Sequence, residues 1–248
     1  MAAYIDEAQY YLSELCGGQY QELDSSPVAV IATRFACVYA ARRAVPGLDL
    51  VLTENGFGVV SNQNISPASQ ARVENLLRSL RQQESFLEDK IVFGLLSTEW
   101  KDSPQAVARI NSLLWCPTIL RRYGVTLDGR DAYAEEYRSM EPALFRAEEH
   151  VRSLIGPEIY SALVARQRTH SSDISSPYCT IRELSRRLAA NIAVNTDPHK
   201  AGIIKEQLLN QLSLHADDLP EYKNSSTCRA HRMKGYENKP EDKTFFFS

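Results

Sequence analysis

Apolar residues recur at three- and four-residue steps along most of the chain, the spacing of an amphipathic α-helix. The longest run lies between about 67 and 96. There Val73, Leu76, Leu77, Leu80, Leu87, Ile91 and Leu95 form one stripe, while Arg72, Glu74, Arg78, Arg81, Gln82, Glu88 and Asp89 cover the other sides. Further helices are predicted at about 4–15, 27–44, 104–114, 131–154, 157–169, 180–194 and 198–215. The 27–44 segment is apolar on most sides and is expected at the centre. Several starts share a Ser or Asp before Pro: Ser26-Pro27, Ser66-Pro67, Ser103-Pro104 and Asp197-Pro198. The side-chain oxygen can accept from an orphan backbone N–H, and Pro loses nothing where its N–H would be unpaired. Thr180-Ile181-Arg182-Glu183 has the pattern of a capping box, and Gly17-Gly18 ends the first helix.

Two stretches depart from the helical period. Leu48–Thr53 and Phe57–Ser61 are rich in β-formers and flank Asn55-Gly56, the strongest short-range hairpin signal. A two-stranded ribbon is marginal in water, so this one is expected either to lie on a helix of its own chain or to pair with another subunit. From Glu221 to Ser248 the only Val, Ile, Leu or Met is Met233, set among six Lys or Arg and four Asp or Glu, before Phe245-Phe246-Phe247. One reading is a solvated tail. The other is an arm that docks in a groove, because burying each ring gains roughly 1.5–3 kcal/mol. The expected fold is therefore mainly α: a helical bundle over 1–220 with one inserted β-hairpin at about 49–61, and an extended C-terminal arm over 221–248.

Composition narrows the function classes. Of 248 residues 44% are hydrophobic and 24% charged, with a net charge of −3, values of a globular chain rather than a disordered or fibrous one. Near-neutrality lacks the basic excess of a nucleic-acid binder. Cys16, Cys37, Cys116, Cys179 and Cys228 are odd in number and never form a C-x-x-C pair, which points to reduced, structural thiols in a cytosolic setting. Cys37, in an apolar run, reads as a small core hydrophobe. The N-terminal MAAYIDEAQYY has no basic region followed by an apolar one, so no signal peptide is expected. Val28–Ala41 contains Arg34 and is too short for a bilayer, which needs about 20 apolar residues.

Motifs that carry chemistry are missing from the sequence. It has no phosphate-binding glycine loop, no H-E-x-x-H and no G-x-S-x-G elbow. His150, His170, His199, His215 and His231 are too scattered for a metal site. Glu135-Glu136 and Glu148-Glu149 are neighbours whose side chains diverge by about 100° on a helix, so they cannot act as an acid–base pair. Asp217-Asp218 reads as a linker. Arg42-Arg43, Arg121-Arg122 and Arg186-Arg187 are doublets, not a patch, though some could face phosphates. No catalytic residue, metal or cofactor is expected.

The segment Leu50–Asn62, continuing to Ser66-Pro67-Ala68-Ser69 and Arg72-Val73, resembles a structural-protein family of tailed phages and prophages of gut Bacteroidetes. Members carry a similar T-x-x-G-F-G-V-V-S-N…A-P-A-S segment before a long helix. They also carry a Tyr-Glu-Asn-Lys…Phe-Phe tail, matched here by Tyr236–Lys239 and Phe245–Phe247. Ile65-Ser66-Pro67 stands where Val-Ala-Pro is expected. The resemblance implies a virion protein of the neck, a head–tail connector or adaptor forming a homo-oligomeric ring, twelvefold by analogy. It would be made in the bacterial host cytoplasm and would sit between the portal protein and a tail or second neck protein. DNA would pass through its lumen without sequence-specific binding, and no membrane would be involved. Asn55, Gly56 and Phe57 at the hairpin tip and Phe245, Phe246 and Phe247 on the arm are the expected contact residues. The alternatives are another neck, tail-completion or terminator protein; a phage DNA-binding regulator, which needs a basic recognition helix; and a maturation nuclease or peptidase, which needs clustered carboxylates or a nucleophile with its base.

Overall fold

A computed structural model describes residues 2–18, 27–48, 51–53, 56–58, 70–127, 130–131, 134–169, 175–194 and 197–232; at 27, 48, 51–53, 56–58, 70–72, 126–127, 130–131 and 134–135 it describes the backbone alone. The described chain is mainly helical. It falls into two compact units, residues 1–141 with 168–170 and residues 142–167 with 171–248, where the sequence pattern suggests one domain over 1–220. No helix among the described residues is long and apolar enough to cross a membrane.

The first unit is built on α1 (Ala2–Cys16), α2 (Pro27–Leu48) and α3 (Gln70–Leu95). Helix α1 ends at Gly17 and Gly18, both with positive φ, as its sequence requires. Its buried face, Ala8, Leu12 and Cys16, repeats every four residues against α2, which buries Val28, Ala32, Phe35, Ala36, Tyr39 and Ala40. Tyr11, Phe35 and Tyr39 stack in series, with centroids 5.7 and 5.9 Å apart. Helix α3 departs from its predicted stripe. Ile91 and Leu95 are buried, joined by Val92 and Leu96, whereas Leu76 is 48% exposed and Val73, Leu77 and Leu80 are half-buried. A 3-10 turn (Glu99–Asp102), α4 (Pro104–Arg109) and α5 (Pro117–Arg121) follow in the same unit, so the helix expected over 104–114 is shorter than its pattern. The Ser103 hydroxyl caps α4 by accepting from Ala106 N at 3.1 Å.

Where α2 meets α3 the backbones approach closely at Gly94: a Cβ there would stand 2.6 Å from Val28 Cγ2. Alanine gains roughly 1 kcal/mol of helix propensity over glycine, but overpacking costs about 1–3 kcal/mol. Gly94→Ala is expected to destabilise the unit by about 1 kcal/mol. Adding Val28→Ala should cost less than the two single losses together, by about 0.5 kcal/mol or more. Urea unfolding of the four chains followed by tryptophan fluorescence checks this cycle.

Two short antiparallel segment pairs are described by backbone alone. Val51–Thr53 faces Gly56–Gly58 in the register Val51↔Gly58, Leu52↔Phe57, Thr53↔Gly56, and Thr126–Leu127 faces Arg130–Asp131. Each is a separate two-stranded pairing and joins no larger sheet among the described residues. The inserted β-hairpin expected over about 49–61 is thus not supported as an element of the fold. Three residues a side give too few cross-strand pairs to stand alone, and residues 49–50, 54–55 and 59–61 lie outside the described residues.

The second unit takes the later part of α6 (Ala134–Ile155), α7 (Pro157–Arg168), α8 (Pro177–Val194) and α9 (Pro198–Leu214). Leu144, Ala147, Val151 and Ile155 on α6, Ile181, Leu184 and Leu188 on α8, and Ile204, Leu208 and Leu212 on α9 are buried at helical spacing. Helix α8 begins at Pro177, so Thr180 lies inside it and the expected capping box is not its start. Asp197 caps α9, accepting from Lys200 N at 3.1 Å. The linker expected at Asp217-Asp218 is part of a 3-10 turn, Ala216–Asp218.

The extended arm expected over 221–248 is corrected for its first twelve residues. Ten of these belong to α10 (Pro220–Lys223) and α11 (Ser226–Arg232), with Tyr222 and Cys228 buried. The Ser225 hydroxyl accepts from Cys228 N at 3.0 Å and starts α11. Two isolated anchors and one cap are enough to fold a segment too short to show a period. Residues 233–248 lie outside the described residues.

Candidate functional site

Three elements of the first unit place polar groups around a cleft of about 300 Å³: Tyr11 from α1, Glu88 and Asp89 from α3, and Arg109 from α4. The Tyr11 hydroxyl donates to Glu88 Oε1 at 2.8 Å, and Arg109 Nη2 donates to the same oxygen. The buried Arg109 Nε has no acceptor among the described residues. Asp89, assigned by its position to the solvated side of α3, is 1% exposed. Its Oδ2 accepts from both the Thr118 backbone N–H, at 3.1 Å, and the Thr118 hydroxyl, which holds the start of α5 against α3. No local signal could have found this, since the donor is 29 residues away.

Burial pushes the Tyr11 hydroxyl up, reinforced by the Glu88 charge, so it stays a hydrogen-bond donor and not a base. The Cys116 thiol is likewise held up by burial and by Asp89, which leaves it unreactive. Among the described residues no group of three His, Cys, Asp or Glu could hold a metal ion. What the cleft does chemically is brace: one carboxylate and one buried acid join α1, α3, α4 and α5.

Burial also raises the Asp89 carboxyl above its ordinary value, with the Glu88 charge adding to this and Thr118 and Arg109 opposing it. The folded state therefore holds the proton at pH values where the unfolded chain, titrating near about 3.9, has released it. Between those two values the unfolded chain binds fewer protons, so this group's contribution to stability falls as pH rises. Asp89→Asn keeps an acceptor for Thr118 and removes the titration. The stability of the parent minus that of the variant should decline from about pH 4 upward; urea midpoints across roughly pH 4–8 measure it.

The second feature is apolar. Thr33, Arg34, Cys37 and Val38 on α2 and Gln83, Phe86 and Leu87 on α3 line an open groove of about 430 Å³. Phe86 is 40% exposed and carries Lys90 Nζ 4.4 Å from its ring centroid. A bidentate Arg42–Glu84 pair ties α2 to α3, while Arg43 Nη2 on Glu7 at 3.1 Å and the Tyr39 hydroxyl, donating to Glu7 at 2.9 Å, tie α2 to α1. Cys37, expected in the core, is exposed in this groove. On a helix apolar on most sides, sequence does not say which apolar side is left open.

None of the expected contact residues is described with its side chain. Asn55 and Phe245, Phe246 and Phe247 lie outside the described residues, and Gly56 and Phe57 are described by backbone only. His150 and His199 are exposed, His215 Nδ1 is 3.4 Å from Asp218 Oδ2, and His231 Nδ1 is 2.8 Å from the Tyr222 hydroxyl. Glu148 is buried under the Tyr160 hydroxyl while Glu149 is exposed, the divergence their spacing requires.

The sequence matches a family described as a family of unknown function (DUF6712) over residues 1–110 and 185–232, a span that holds every residue of the apolar groove. No curated protein and no solved structure matches the chain.

Proposed function

The chain belongs to this family of unknown function, and from that premise we propose that it is a structural protein of a tailed-phage neck, a head–tail connector that forms a ring between portal and tail. The observation that carries the reading is the open apolar groove on α2 and α3. The Arg42–Glu84 pair ties its two walls together, and the groove presents apolar residues to solvent, as surfaces that partners cover do. The resemblance of Leu50–Val73 and of the Tyr236–Phe247 tail to phage structural proteins supplies the setting.

In this role the protein works mechanically. Copies associate head to tail around the DNA path, and a net charge of −3 suits a lumen that DNA slides through without being held. The ribbon around Asn55–Phe57 and the Phe245–Phe247 segment supply further contacts. No cofactor or catalysis enters this role. The test is cryo-electron microscopy of the purified chain mixed with the portal ring encoded in the same genome. A closed ring of this chain on the tail-side face of the portal is the expected result. Bare portals at tens of micromolar of added chain would overturn the proposal.

A further inference from the structure

We propose that the groove on α2 and α3 is the receptor for the Phe245–Phe247 segment of a second copy of this chain. The inference rests on the ring reading for the second copy and on the residues themselves for the match. The groove offers Cys37, Val38, Phe86 and Leu87 as an apolar floor, with Arg34 and Lys90 beside it. Arg34 is exposed and makes no ion pair among the described residues.

The segment is complementary in both respects. Phe245, Phe246 and Phe247 follow closely on Glu241-Asp242, an aromatic run preceded by two acids. In an extended strand Phe245 and Phe247 point to the same side, so two rings can enter while Glu241 and Asp242 approach Arg34 and Lys90. Aromatic side chains with a charged rim are what protein interfaces use as anchors. The chain leaves α11 at the exposed Arg232, and the thirteen residues from there to Phe245 span about 43–47 Å when extended. A donor segment and a separate acceptor groove on each copy make a heterologous contact, the kind that closes into rings.

Cys37 is a built-in reporter, because its exposed thiol lies in the groove while Cys16, Cys116 and Cys228 are buried. The experiment follows maleimide labelling of Cys37 by peptide mass spectrometry in the full chain at rising protein concentration. It is compared with the F245A/F246A/F247A variant, whose circular dichroism spectrum and thermal midpoint should match the parent. Labelling of the parent should slow about tenfold at high concentration, the factor mass action gives when nine grooves in ten are filled. The variant should label at the fast rate throughout. Equal rates in the two chains would overturn the proposal. So would protection independent of concentration, which means the chain's own segment is seated, or protection surviving in the variant, which means another surface covers the groove. Rings seen on portals together with an unprotected Cys37 would remove this inference and leave the ring; protection without rings would do the reverse.

Discussion

Replacing Trp100 with alanine is expected to cost the first unit about 3–5 kcal/mol, the range for removing a large aromatic from a closed core. Trp100 is 1% exposed, and its indole Nε1–H donates to Leu15 O at 2.9 Å. Leu15 is in the last turn of α1, where carbonyls have no partner within the helix. The substitution therefore opens a cavity and also removes the donor that closes α1. Trp100→Phe should lose less, about 1–3 kcal/mol, because it keeps most of the volume but leaves that carbonyl unpaired. The protein has two tryptophans, and Trp115 is also in the first unit. Its fluorescence in urea thus reports the unfolding of this unit in either variant, with the midpoint of the alanine chain lowered by about 1–2 M. A midpoint within about 0.2 M of the parent would mean that the core does not depend on this ring.

A comparable loss, about 3–5 kcal/mol, is expected in the second unit for Tyr222→Ala. Tyr222 is 2% exposed; its hydroxyl is 2.8 Å from His231 Nδ1 and its ring centroid lies 6.1 Å from that of the imidazole. Burial raises the phenol above its ordinary value, so the hydroxyl stays protonated beside the imidazole nitrogen. In the same region the Tyr178 hydroxyl donates to Glu221, and Arg166 lies 3.6 Å over the Tyr178 ring. Hydrogen exchange of the amides of Ser226–Arg232 provides the measurement. Protection in the parent that is lost in the variant is the expected result. Fast exchange in both would restore the view that everything beyond residue 220 is an arm. Thermal unfolding by circular dichroism gives the size of the loss.

These two residues also mark where the sequence could and could not be read. Helix starts were legible because they are local: Ser103 and Asp197 each cap a backbone N–H three residues on, with Pro fixing φ between. The end of α1 was legible for the same reason, since only glycine enters positive φ without strain at Gly17 and Gly18. Burial was legible only where period and packing agree, as at Ile91 and Leu95. Leu76 belongs to the same stripe and is exposed, while Asp89 is buried because Thr118 comes to meet it. Tyr222 and Cys228 are too few to show a period, and Cys37 looked internal because its helix is apolar on most sides. The polar cleft was not legible at all. Tyr11, Glu88 and Arg109 are ordinary surface residue types until three helices bring them together.

The attachment of α1 bears on how the protein can be shortened. Tyr11 on Glu88, Glu7 under Tyr39 and Arg43, and the Leu15 carbonyl under Trp100 are separate fastenings to later parts of the first unit. A chain trimmed to begin at residue 27 would lose them together and bare the faces of Phe35 and Tyr39 now stacked on Tyr11. Such a fragment would be sticky, and its self-association could be mistaken for native assembly. The opening helix is a keystone, and oligomer measurements are meaningful only on molecules that retain it.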